Sequence, residues 1–282
     1  MGKSALVLEG GGMRGAYTAG ILDYFMEKGL NFDTVYGVSA GALNGANYKA
    51  HQIGRGLRTF ASYLHDERYA GLQHLMKTGD WFNIDFSYNI IPNQLDPADY
   101  DAFAASDVVF YAVVANVETG RAEYLKITDL RQQMDQLRAS ATLPLLSNIV
   151  ETDGKKYLDG GICDSIPLKK AVTDGHDKNV VILTQHRGFR KKPSANRYPS
   201  RVMYNKYPKF VKAMNNRHFM YNRQLRYTYE MEKRGKAFVI QPAKPVEIAR
   251  LEKNPAKLVE LYHQGKLDAE KNYAALIEYM KK

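Results

Sequence analysis

Cysteine is nearly absent. Cys163 is the single one in 282 residues, so no intramolecular disulfide can form and a reducing compartment fits. A chain of this length buries a full core without such staples. No run of 18 apolar residues occurs, which excludes a transmembrane helix. The first apolar run, Ala5–Leu8, meets glycines and no cleavage site, and the myristoylation pattern fails at its sixth position. The expectation is a soluble, cytoplasmic chain. Metal-ligand clusters and acidic calcium loops are missing too, so neither metal nor cofactor is expected. There are no repeats and no low-complexity tracts.

Positive charge is concentrated in the C-terminal third, while residues 1–185 carry a slight acidic excess. The chain carries 40 Lys and Arg against 30 Asp and Glu, a net +10. Residues 186–236 hold 15 basic and 2 acidic residues, interleaved with Tyr and Phe. Such a stretch suits either a solvated helix with packed aromatics or contact with an anionic membrane surface. No finger, RRM or basic-zipper pattern accompanies it, so nucleic acid is not expected.

Short apolar runs alternate with helical spacing. Ser4–Glu9 reads as a buried strand, Gly15–Gly29 as a helix, Thr34–Val38 as a strand and Ala40–Ala50 as a helix. Two hairpins (107–127 and 149–158), a helix capped by Asp129, a buried strand at 179–184 and helices at 207–234 and 255–282 follow. This order predicts an α/β fold: three α/β/α layers around a mostly parallel central sheet. Residues 1–185 read as its main body. Residues 186–282 read as a basic, mainly helical extension packed on the same domain.

Gly10-Gly11-Gly12-Met13-Arg14-Gly15 follows the first strand and opens a helix. Glycines aim backbone N–H groups inward, and a helix N-terminus adds positive potential, so this is an anion site. It also fits the dinucleotide fingerprint G-x-G-x-x-G. That reading needs an acid at the end of the next strand to hold a ribose; Asp33 lies at the wrong end. What stands there is Gly37-Val38-Ser39-Ala40-Gly41, a G-x-S-x-G between strand and helix, where a serine nucleophile is exposed on a sharp turn. A serine hydroxyl needs a base. His176 and His186 follow it in the chain order of a triad. Tyr157-Leu158-Asp159-Gly160-Gly161 instead offers a carboxylate placed in a tight turn.

Together these three motifs, with Ser140-Ala141-Thr142-Leu143-Pro144 between the last two, resemble the patatin-like phospholipase family over residues 4–185. The resemblance implies a Ser–Asp dyad, with Ser39 as nucleophile and Asp159 as base. It implies an oxyanion hole from the N–H groups of Gly11, Gly12 and Met13. Gly10, Arg14, Gly15, Gly37, Gly41, Gly160 and Gly161 would support the motifs. Arg14 would bind a phospholipid headgroup or tie the loop to a carboxylate. Glu9 departs from the family's usual Asp, at little expected cost. The implied substrate is a fatty-acyl ester of a phospholipid or related lipid. A soluble esterase or thioesterase with the same dyad, and a dinucleotide-binding module on Gly10–Gly15, are the competing readings. Residues 55–106 are where a lid over the site is expected.

Overall fold

A computed structural model describes residues 3–195 and 197–282. Among them eight strands make one sheet: β1 (Ser4–Leu8), β2 (Thr34–Val38), β3 (Val109–Asn116), β4 (Arg121–Ile127), β5 (Val150–Thr152), β6 (Lys155–Asp159), β7 (Lys178–Ile182) and β8 (Phe238–Ile240). The α-helices are α1 (Gly15–Glu27), α2 (Ala40–Lys49), α3 (Arg55–Ala61), α4 (Leu72–Thr78), α5 (Tyr100–Ala105), α6 (Leu130–Ala141), α7 (Leu168–Thr173), α8 (Arg197–Met203), α9 (Pro208–Lys233) and α10 (Pro255–Lys281). None is long and apolar enough to cross a membrane.

β8, β7, β1, β2 and β3 lie side by side, each parallel to the next. β4 runs antiparallel along one edge of β3. The other edge of β3 is shared: β2 pairs with Val109–Val113, and β6, antiparallel, pairs with Val114–Asn116. β5 completes a hairpin with β6. The sheet is thus mixed, parallel at its centre and antiparallel on the β3 side.

Helices cover both faces, which is why the central strands read as unbroken apolar runs. Along β1 the side chains alternate. Leu6 and Leu8 join a core with α1, α2 and α10, whereas Ala5 and Val7 join one with α7 and α9. Full burial of each such Leu or Val contributes about 1.5–3 kcal/mol. Asp129 caps α6 by accepting the Arg131 N–H at 2.8 Å.

The basic segment is drawn into this body. β8 extends the sheet beside β7, and Tyr221, Leu225 and Met231 of α9 are buried against the second face. α10 lies on α1 at a close crossing. A Cβ on Gly20 would sit 2.0 Å from the Tyr262 carbonyl oxygen, and one on Gly265 would sit 2.1 Å from that of Tyr17. The same tyrosines bond across the crossing, Tyr17 to Asp268 at 2.8 Å and Tyr262 to Asp23 at 2.7 Å.

Candidate active site

Ser39 is the hinge between β2 and α2. Its φ of 55° and ψ of −124° are strained for a residue with a Cβ. The flanking glycines permit the turn by close approach. A Cβ on Gly37 would lie 2.5 Å from the Ala42 Cα, and one on Gly41 2.6 Å from the Leu8 carbonyl oxygen. The Ser39 N–H is held by Ser140 Oγ at 2.9 Å, and that hydroxyl donates to the Val113 carbonyl at 2.7 Å.

The shared edge of β3 brings Asp159 to the same place. Val38 is paired with Val113 and Asp159 with Val114. β2 and β6 therefore meet end to end, one register step apart, ~3.3 Å along the strand. Each chain leaves the sheet there, one through Ser39 and the other through Gly160–Ile162, a single 3₁₀ turn. Asp159 caps that turn, its Oδ1 accepting the Gly161 N–H at 2.8 Å. Its own N–H goes to the Thr142 carbonyl at 2.8 Å. Ser140 and Thr142 thus fasten both residues to one segment. Ser39 and Asp159 are both buried, 5% and 4% exposed, so the carboxylate is shielded from bulk water.

The glycine loop closes the third side. A Cβ on Gly10 would lie 3.1 Å from the Cβ of Ser39, and one on Gly15 2.8 Å from the Cβ of Ala40. Gly11 abuts Thr184, two residues past the end of β7. Glu9 has a larger part than its expected one. Buried, it accepts the Thr184 N–H at 2.6 Å through one oxygen and the Tyr221 hydroxyl at 2.6 Å through the other. It locks the loop to the sheet and to α9.

One expectation for this loop is corrected. The Met13 N–H does not face the serine as a free donor, because it is donated to the Arg250 carbonyl at 3.1 Å. Of the two readings of Arg14, the tie to a carboxylate has no ion pair among the described residues; its Nη1 donates to the Ile248 carbonyl at 3.3 Å. Both contacts come from the strand-to-helix connection at 241–254, which lies across the loop.

An apolar cavity of about 150 Å³ opens on Ser39. Gly12 and Met13 border it, with Leu43, Phe60, Phe82 and Ile91 among its walls. Much of the wall comes from 55–92, which covers the site and is pinned by Arg55 and Arg58 on Asp96. Tyr88 lines the cavity as well. Burial pushes its hydroxyl up to about 12, Arg138 opposing and the Asp159 charge adding to the rise. Nothing local in the sequence marks it.

Histidine does not join these groups. His176 sits at the opposite end of the sheet, with Nδ1 on the Ala171 carbonyl and Nε2 on the Thr34 hydroxyl. His186 packs its ring edge-on to Phe189. Neither lines the cavity that holds Ser39. Asp33 is bonded to the backbone and hydroxyl of Ser4, far from the glycine loop.

The class is thus a three-layer α/β/α protein with a strained serine turn beside a capped aspartate. The profile of the patatin-like phospholipases matches residues 6–172, and the chain belongs to that family. A second profile, a domain of unknown function designated DUF6363, matches residues 207–281. The uncharacterized protein YjjU of Escherichia coli K12 is 34% identical over 188 residues, 65% of this chain and 52% of that one. Lysophospholipase nte1 of Aspergillus terreus is 29% identical over 173 residues, 58% of this chain but 10% of that protein. The chain therefore spans about half of the first relative and a tenth of the second. VipD from Legionella pneumophila aligns over 96% of this chain and 66% of its own, with a TM-score of 0.44 and 14% identity.

Proposed function

We propose that the chain is a serine acyl hydrolase that cleaves fatty-acyl esters of phospholipids or related lipids. The observation that supports this reading is the meeting of β2 and β6 on one edge of β3, the ends from which Ser39 and Asp159 leave the sheet, with Ser39 lining an apolar cavity. Asp159 Oδ1 is engaged by Gly161, and Oδ2 takes the proton from the Ser39 hydroxyl as its oxygen attacks the acyl carbonyl. The N–H groups of Gly11 and Gly12 hold the oxyanion. One such donor is worth about 3–4 kcal/mol in measured oxyanion holes. The alcohol leaves with the proton. Water then gives its proton to the same carboxylate and attacks the acyl carbonyl, and that proton passes to the departing Ser39 oxygen as the fatty acid is released.

The cavity favours an acyl chain over a short soluble ester. The lysophospholipase activity in the name of the Aspergillus relative agrees with this reading. Peripheral contact with an anionic surface belongs to it as well. Tyr198, Val202 and Met203 on α8 and Phe219 on α9 are exposed within the basic segment, and such contact weakens as salt rises.

The test is hydrolysis of a lysophospholipid by wild type, Ser39→Ala and Asp159→Asn. Each variant is expected to lose activity by at least ~10³-fold while melting as wild type does, by analogy with catalytic-group deletions elsewhere. An active Asp159→Asn together with an inactive His186→Ala would replace the dyad with a triad.

A further inference from the structure

Beside the glycine loop lies a second cavity, of about 410 Å³, and its chemistry is the reverse of the first. Among the described residues, Arg14, Lys191, Lys192, Arg217 and Arg250 line it, and no carboxylate does. Among the described residues none of these five cations forms an ion pair. The Arg14 Nε is buried with no acceptor. Arg217 spends its Nε on the Gly161 carbonyl at 2.5 Å. The Lys191 ammonium lies over the Tyr221 ring, 4.6 Å from its centre. The nearest carboxylates lie outside the lining and only partly offset these charges: Glu9 is bonded to Thr184 and Tyr221, and Asp159 Oδ1 to Gly161.

Cations gathered this way repel one another. Burial, reinforced by Arg217 and Arg250, pushes the Lys191 ammonium down to about 7. Burial and Arg250 push Arg217 down to about 10. A cluster that costs the unliganded protein energy is relieved by a multiply charged anion. Guanidinium forks and an ammonium converging on one space match the several oxygens of a tetrahedral phosphate.

We propose that this cavity is a phosphate-binding site, in which Arg14, Lys191, Arg217 and Arg250 hold one phosphate group. Its place gives it a bearing on the chemistry. Arg14 belongs to the glycine loop, Arg217 grips Gly161 next to the Asp159 turn, and Arg250 lines both cavities. Lys191, Arg217 and Arg250 lie beyond the residues that the patatin profile matches, so three of the four cations come from the C-terminal part of this chain and Arg14 from the glycine loop. The phosphate comes either from a lipid headgroup whose acyl chain lies in the apolar cavity or from free phosphate. The first source rests on the proposed hydrolase reading, and the second does not.

Calorimetric titration of the full chain with inorganic phosphate tests the site. Wild type is expected to bind, with an affinity that falls as chloride rises. Lys191→Gln and Arg250→Gln should each weaken binding about tenfold or more, and Lys191→Arg should retain it. Melting curves show which variants are folded, and the two Gln variants sit on separate loops. No binding by wild type, or folded Gln variants that bind as tightly as wild type, overturns the proposal. Ser39→Ala should bind phosphate unchanged, so an error in the hydrolase reading leaves this result standing. A lysophospholipid and an uncharged monoacylglycerol of equal chain length separate the sources. With a headgroup in the site, phosphate competes against the lysophospholipid alone, and Lys191→Gln raises KM for that substrate alone. With free phosphate in the site, turnover of both changes alike.

Discussion

Ser140 carries more of the candidate site than its place in the sequence suggests. Its hydroxyl accepts the Ser39 N–H and donates to the Val113 carbonyl, so one oxygen fixes the strained turn to β3. Replacing it with Ala leaves two buried backbone groups unpaired, at roughly 1–3 kcal/mol each. Ser140→Ala is expected to lower the denaturant midpoint and to cut kcat about tenfold or more, with KM little changed; steady-state kinetics on folded protein checks this. The motif residues around it were legible because each is a local pattern. Strand, glycine, serine, glycine and helix announce a turn with an exposed hydroxyl, and Asp-Gly-Gly announces a capped turn. Glu9, Tyr88, Arg217 and Arg250 were not legible as site residues. Their partners lie far along the chain, Glu9 175 and 212 residues from its own, and no periodicity records such contacts.

Among elements, register decides the geometry. The sequence shows β2, β3 and the hairpin that contains β6 as apolar runs between turn signals. It does not show that β2 and β6 share an edge of β3, the fact that brings the strand ends before Ser39 and at Asp159 together. The crossing of α1 and α10 is a second contact of this kind. Gly20 and Gly265 read as isolated glycines in helices, each costing about 1 kcal/mol against Ala. Their reason is reciprocal contact with the carbonyls of Tyr262 and Tyr17. Gly265→Ala is therefore expected to destabilise the protein in spite of its better helix propensity. The overlap is with backbone, so a loss of at least ~1–3 kcal/mol in chemical denaturation is expected. A neutral or stabilising result would mean that α10 is only loosely docked.

For the whole molecule, the basic C-terminal part is a structural partner of the first 185 residues. It adds β8 to the sheet, seats α9 on one face and α10 on the other, and lays Arg250 across the glycine loop. Asp164 helps to fasten α9. It accepts from Tyr124 of β4 and from Gln224 of α9, both at 2.6 Å. Burial pushes its carboxyl up to about 6, against the hydrogen bonds from Tyr124 and Gln224. The folded state then keeps a proton that the unfolded chain releases near pH 4, so Asp164 contributes stability at low pH that is lost as pH rises through about 6. Relative to Asp164→Asn, wild type should lose ~2 kcal/mol between pH 4.5 and 7 in urea titrations. Parallel curves would place its proton elsewhere.

The account rests on Ser39 being an activated nucleophile. The most direct measurement is the intact mass of wild type and Ser39→Ala after a fluorophosphonate, with detergent present to open the covering segment. One adduct on wild type, absent from Ser39→Ala and much slower to form on Asp159→Asn, is expected. No adduct on folded wild type, or one that persists in Ser39→Ala, would contradict it and leave the glycine loop as an anion site without a nucleophile.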